Sequence, residues 1–128
     1  GFDPADRAQG IPPTGRVAIE AWLGRLAAAE AINVVAWHGD VVAGHATLVP
    51  DGEGASELAI FVHQDYQRAG IGSRLIRYLL GAGAALGVER VWLTVERWNE
   101  PAIGLYRDVG FETAGDDRFE MAMALRLA

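Results

Sequence analysis

Gly70 and Gly72 stand two residues apart, between an apolar run and an amphipathic one, and they limit what can be built around them. Glu57 to Val62 reads as a buried strand, and His63 to Tyr66 as a short polar elbow. Gln67-Arg68-Ala69-Gly70-Ile71-Gly72-Ser73 then turns into a helix. Without a Cβ at either glycine, backbone N–H groups can close around a phosphate. The helix that follows aims its positive end at the same point. Strand, turn and helix in this order make a cradle for a diphosphate.

The chain of 128 residues is expected to form a single domain over 1–128, enough for one hydrophobic core. Hydrophobic residues make up 51%, yet the stretch from Ile32 to Val49 is interrupted by His38, Asp40 and His45, so no run reaches the roughly 20 apolar residues of a membrane span. The sequence shows no basic-then-apolar leader, and a cytoplasmic location is expected. The lack of cysteine excludes disulfides, a thiol nucleophile and Cys-based metal sites, and no metal is expected. A net charge of −6 argues against nucleic acid as a partner. All eleven basic residues are Arg, so the protein cannot be modified on lysine side chains of its own.

Residues 1–13, with Pro4, Pro12 and Pro13, read as an irregular opening segment. Thr14 is placed to cap a helix running to about Glu30, because Ile19, Trp22, Leu23 and Leu26 recur at helical spacing. Strands are predicted at Asn33–His38 and Val41–Val49, around a tight turn at Gly39-Asp40. A third strand, Glu57–Val62, is apolar enough for the middle of a sheet. A helix then runs from Ile71 to about Leu86, followed by a strand at Val91–Val95. Asn99 caps a short helix with Pro101 in its first turn, stopped by Gly110. Phe111–Thr113 and Arg118–Leu127 close as a hairpin. The fold class is α/β (α+β): one mixed, mostly antiparallel central sheet flanked by helices.

A Gly-x-Gly turn alone is a weak signal. In a dinucleotide-binding fold the glycines follow the first strand of a βαβ unit directly, and a third Gly or Ala comes after. Here His63 to Tyr66 intervene and position 75 is Leu, and the absence of Gly-Lys-Ser/Thr excludes a P-loop. A second constellation, Asn99…Ala102…Leu105-Tyr106…Gly110-Phe111, changes the reading. Together with Gln67-x-x-Gly70-x-Gly72 it resembles the GNAT superfamily of acetyl-coenzyme A-dependent N-acetyltransferases, over about residues 32–127.

The resemblance implies a V-shaped opening between strands 57–62 and 91–95, with the pantetheine arm of acetyl-coenzyme A pairing with backbone around Ile60, Phe61 and Val62 as an added strand. Gln67, Arg68, Ala69, Gly70, Ile71, Gly72 and Ser73 would hold the pyrophosphate. Arg68 and Arg74 either add charge there or are simply solvated. Asn99 would touch the cofactor, or only cap its helix. Tyr106 matches the tyrosine that protonates the departing thiolate; the alternative is a core tyrosine. Its reference pKa of about 10 against ~8.5 for a thiol makes that transfer downhill.

The acceptor, a small-molecule or peptide amine, must lose a proton before it attacks. For a lysine-like amine this costs about 4.6 kcal/mol at pH 7. Glu57 resembles the glutamate that many members use as base, and His63 and Glu96 are weaker candidates. His38 and His45 suit structural or acceptor-pocket roles, and Trp37, Tyr66 and Trp98 either line the acceptor side or belong to the core. With no Cys, transfer would be direct, in a ternary complex. The rival functions are a catalytically silent coenzyme A-binding sensor and a dinucleotide-binding protein. Members usually begin with a strand before the first helices, and no strand pattern precedes Thr14. The sheet is therefore expected to be one strand short there, an edge that a second subunit in a homodimer could cover.

Overall fold

The computed structural model describes residues 17–26, 29–67 and 70–128, with 25, 26 and 29 described by backbone alone. Its strands are β1 (Val17–Leu26), β2 (Ala29–His38), β3 (Val41–Pro50), β4 (Ser56–Val62), β5 (Arg90–Glu96), β6 (Glu112–Asp116) and β7 (Glu120–Arg126). A 3-10 turn at Gln64–Tyr66 precedes helix α1 (Ile71–Ala85), and helix α2 (Glu100–Val109) follows β5. The seven strands form one sheet in the order β1-β2-β3-β4-β5-β7-β6. Every neighbouring pair is antiparallel except β4 with β5. A parallel pair needs a crossover, and α1 supplies it.

The helix predicted from Thr14 to Glu30 is not formed. Thr14 lies outside the described residues, as does the opening segment 1–13, and Val17–Leu26 is a strand paired with β2 along its whole length, Val17 opposite His38 to Leu26 opposite Ala29. The sequence there supports two periods at once. Val17, Ile19, Ala21 and Leu23 alternate at period two, and Ile19, Trp22, Leu23 and Leu26 match a helix. Ten rungs of pairing with a long neighbour decide in favour of the strand. The edge beside β2 that the sequence left uncovered therefore carries β1.

The other elements fall where the sequence puts them, with ends shifted by a few residues. Gly39 takes a positive φ of 64° in the β2–β3 turn. On β4, Leu58 is buried while Glu57, Ala59 and Phe61 are exposed, so the strand is central but buried on one face only. On the buried face α1 sets Ile71, Leu75, Ile76, Leu79 and Leu80 against Val34, Ala46, Leu48 and Leu58. Each such side chain contributes about 1.5–3 kcal/mol when fully buried. Tyr106 and Ile103 of α2 continue the same core over Val91, Leu93, Val95 and Met123. Among the described residues both helices lie on this face, and no helix is long and apolar enough to cross a membrane.

Asp51, in the β3–β4 loop, fastens β5 to that loop. Its carboxylate accepts from Trp92 Nε1 at 2.8 Å and from the Glu53 N–H at 2.7 Å. The backbone bond from Glu53, then the Trp92 bond, hold its pKa below the ordinary carboxylate value. These bonds are at full strength above that ordinary value and fade as pH falls through the lowered one.

Gly44 shows how tightly α1 lies on the sheet. A Cβ there would stand 2.8 Å from Leu75 Cδ1 and 3.0 Å from the Phe61 carbonyl oxygen. Gly81, on the outer side of α1, has nothing within 4 Å. In urea unfolding, Gly44→Ala should lose about 1–3 kcal/mol by overpacking. Gly81→Ala should gain about 0.5–1 kcal/mol from helix propensity.

Candidate active site

Strands β4 and β5 pair at only two positions, Ser56 with Val91 and Glu57 with Trp92. Beyond them the strands part, and the space between becomes a cleft of about 550 Å³. It is lined by Ile60 and Val62 of β4, by Gln67, Gly70, Gly72 and Ser73, and by Asn99, Pro101, Ala102, Leu105 and Tyr106.

The register on the other side of β4 determines what its backbone offers this cleft. His63 N–H donates to the Ala43 carbonyl, and the pairs Phe61–His45 and Ala59–Thr47 continue in step. Residues 57, 59 and 61 thus spend their peptide groups on β3, and those of Ile60 and Val62 turn toward the gap. The Val62 carbonyl accepts from Gln67 Nε2 at 3.2 Å. Phe61 stands apart: its side chain is 66% exposed on the opposite face.

At the mouth, Gly70 caps α1 in the left-handed region, φ 78°, ψ 7°, with no side-chain cap. The first N–H groups of α1 are left without intrahelical partners, as at any helix start. Gly72 lies close under α2, since a Cβ there would meet Leu105 Cδ2 at 3.3 Å. Ser73 Oγ accepts from Arg77 Nε at 3.2 Å, which brings a cation to this turn that sequence reasoning passed over; the i,i+4 spacing was its signal. Arg74 reaches the other way, to the Val17 carbonyl at 3.4 Å. Ile71 points its side chain into the core. Arg68 and Ala69 lie outside the described residues.

Helix α2 forms the far wall. Asn99 Oδ1 accepts from the Ala102 N–H at 3.3 Å, so the residue caps the helix and also lines the cleft. Pro101, Ala102 and Leu105 were not among the expected site residues. Helical spacing from Asn99 puts Ala102 and Tyr106 on its face. Tyr106 is almost fully buried, its ring edge-on to Phe111 with centroids 5.9 Å apart. Burial first, then the negative charge of Glu96, pushes the Tyr106 pKa above its ordinary value. The hydroxyl therefore keeps its proton at neutral pH.

The remaining candidates lie elsewhere. Glu57 stands at the closed end of the V, exposed on the face away from the helices, and does not line the cleft. Glu96 sits opposite Glu120 at the open end of β5, near enough for its charge to act on Tyr106, but it does not line the cleft. His63 Nδ1 accepts from the Asp65 N–H at 3.3 Å and lies 3.5 Å from the Asp65 carboxylate, serving the 3-10 turn. His38 is buried, with Nδ1 3.0 Å from the hydroxyl of the buried Tyr66. Trp37 Nε1 donates to Glu20 at 2.9 Å, and Trp98 is exposed. No group of three or more His, Asp or Glu among the described residues is placed to hold a metal ion.

Comparison with known proteins bears on the family and the fold. Over 55 residues, 43% of this chain, the sequence is 42% identical to the [ribosomal protein bS18]-alanine N-acetyltransferase of Escherichia coli K12, and the match spans 37% of that enzyme's length. The crystal structure of the Escherichia coli ribosomal-protein-S18-alanine N-acetyltransferase superposes with a TM-score of 0.75 at 22% identity, covering 88% of this chain and 95% of that one. A Salmonella typhimurium structure carrying its cofactor acetyl-CoA superposes with a TM-score of 0.67 at 23% identity, covering 77% of this chain and 65% of that one. These two likenesses establish the shared fold. The Acetyltransferase (GNAT) family matches residues 5–111, and the chain belongs to that family.

Proposed function

We propose that the protein transfers the acetyl group of acetyl-coenzyme A to an amine, directly and without an acyl-enzyme. The observation that carries this reading is the parting of β4 from β5 beside an uncapped helix start, with a protonated Tyr106 in the same cleft. The residues present fit the cofactor. Ile60 and Val62 offer strand-like backbone groups to its amides, and the N–H groups at Gly70–Ser73 suit a diphosphate. When bound, the cofactor supplies an acetyl thioester.

The chain's own groups supply the rest. Backbone N–H groups near Ile60 and Val62 would polarise the thioester carbonyl. Asn99 holds α2 at the cleft wall, and Tyr106 would give its proton to the departing sulfur. Residues of α1 and α2 would hold the cofactor's arm, which leaves the uncovered face of the sheet to the amine. Glu57 stands on that face, attracts a cationic amine and receives its proton through water. The Escherichia coli relative's acceptor is the alanine of a ribosomal protein, which makes an alanine-initiated peptide a suitable first member of an acceptor panel.

Calorimetry with acetyl-coenzyme A should give a one-to-one complex, and free thiol should appear with some member of a panel of spermidine, free amino acids and an alanine-initiated peptide. Binding without thiol release from any acceptor would point instead to a silent sensor. Stabilisation by NAD and not by coenzyme A would overturn the reading altogether. Gly72→Asp places a carboxylate where the diphosphate is held, and should weaken acetyl-coenzyme A binding by about tenfold or more, the cost of a like charge worth about 1.4 kcal/mol. Tyr106→Phe should lower kcat by about 10²-fold with little change in the KM for acetyl-coenzyme A. Unchanged turnover across pH would exclude Tyr106 as the acid.

A further inference from the structure

Away from the cleft, at the closed end of the V, a second cavity of about 270 Å³ opens on the helix-covered face. Ile32, Leu48 and Pro50 of the sheet, with Leu86 and Val88 after α1, give it an apolar lining. It is not slack beneath the helix. A Cβ on Gly83 would stand 2.8 Å from Leu48 Cδ1, so α1 already presses on the sheet beside the cavity. Leu23 and Leu86 line it as well, yet remain 50% and 57% exposed, and so form its rim.

Two polar side chains line the cavity at different depths. Ser56 is only 5% exposed, and its hydroxyl makes no hydrogen bond among the described residues. Among those residues no side-chain oxygen or nitrogen fully shut off from solvent lacks a partner, so this hydroxyl keeps an opening to the cavity. A buried hydroxyl without a partner is costly, and a ligand that reaches it removes the cost. Glu30 is exposed and makes no ion pair or hydrogen bond among the described residues. It lies two residues beyond the Ile32–Leu48 pair, in step with Pro50 and Ser56. Two strand spacings, about 10 Å, therefore separate the Glu30 and Ser56 backbones. The last turn of α1 carries no basic side chain, and the negative end of the helix lies beside the same space.

We propose that this cavity binds a small amphiphilic amine. A single ring fills the apolar space, a hydroxyl at one end meets Ser56, and an ammonium at the other meets Glu30 and the end of α1. An apolar cavity of about 150 Å³ holds benzene, so the space here suits a substituted ring. The 15 residues of α1, about 22 Å, separate the site from Gly70. It is thus distinct from the cleft and does not depend on the transferase reading.

The test uses the full chain without acetyl-coenzyme A and tyramine as the probe. Phenethylamine lacks the hydroxyl, and para-hydroxyphenylpropionate reverses the charge of the head. In methyl NMR, tyramine should shift Leu23, Leu86 and Val88 and leave Val62 and Leu105, in the cleft, unmoved. It should bind about fivefold more tightly than phenethylamine, the worth of one hydrogen bond, and the acid should bind weakest. Ser56→Ala should abolish the advantage of tyramine over phenethylamine. Glu30→Gln should weaken both amines by about threefold. If Ser56→Ala does not fold, Leu86→Ala, at an exposed position, should still weaken both amines. Equal binding of tyramine and phenethylamine overturns the proposal, because water then serves Ser56 as well as a ligand does. Absence of shifts, or shifts confined to the cleft, overturns it too. So does an acid that binds better than the amine, which would give the sign of the rim to Arg25, opposite Glu30 in the register.

Discussion

Two rungs of parallel pairing, Ser56 with Val91 and Glu57 with Trp92, join a four-stranded antiparallel wing to a three-stranded one. Were the pairing longer, β4 and β5 would satisfy each other and leave no backbone for a ligand. Were it absent, no strand pairing would join the wings, and helix packing and loop contacts would have to hold them together. The closed end is fastened by Asp51, which ties the β3–β4 loop to Trp92, and by Arg90, which reaches the Glu53 carbonyl at 3.5 Å. The open end has the glycine turn and the start of α2 instead. The cleft is thus a consequence of how β4 and β5 begin together and diverge.

Among the described residues both helices lie on one face, so the two faces of the sheet differ in what they present. Gly70, Gly72, Asn99 and Tyr106 converge on the cleft beside α1 and α2. The other face presents Glu57, Phe61, His45 and Trp22. Alternation along β4 produces the division: Ile60 and Val62 look one way, Glu57 and Phe61 the other. A single seven-residue strand therefore serves both faces, and the peptide groups of Ile60 and Val62 turn toward the cleft.

The geometry of the cleft was legible in the sequence because its features are local. Gly70 is needed where φ is 78°, Asn99 caps the helix it precedes, and Tyr106 follows Asn99 at helical spacing. Each depends on residues within a turn or two. The amino-terminal wing was misread for the opposite reason. Residues 17–26 carry apolar side chains at both helical and strand spacings, and only pairing with β2, a long-range contact, chooses between them. The hydrogen bond between His45 and Asn33 and the stacking of Trp22 on His45 were equally hidden, because three strands must come into register before these side chains meet. Arg77 could have been found from its i,i+4 spacing to Ser73.

The Gln67 amide already occupies the Val62 carbonyl that a bound strand-like ligand would use. A carbonyl oxygen accepts twice, so a ligand amide arriving there either shares the oxygen with Gln67 or releases that side chain. Where the glutamine is released, one hydrogen bond replaces another and the net gain is small. The fit along the cleft and the helix start then weigh more in affinity than this one carbonyl. The glutamine ties the turn that follows β4 back to the strand's last carbonyl and so keeps the two in one geometry.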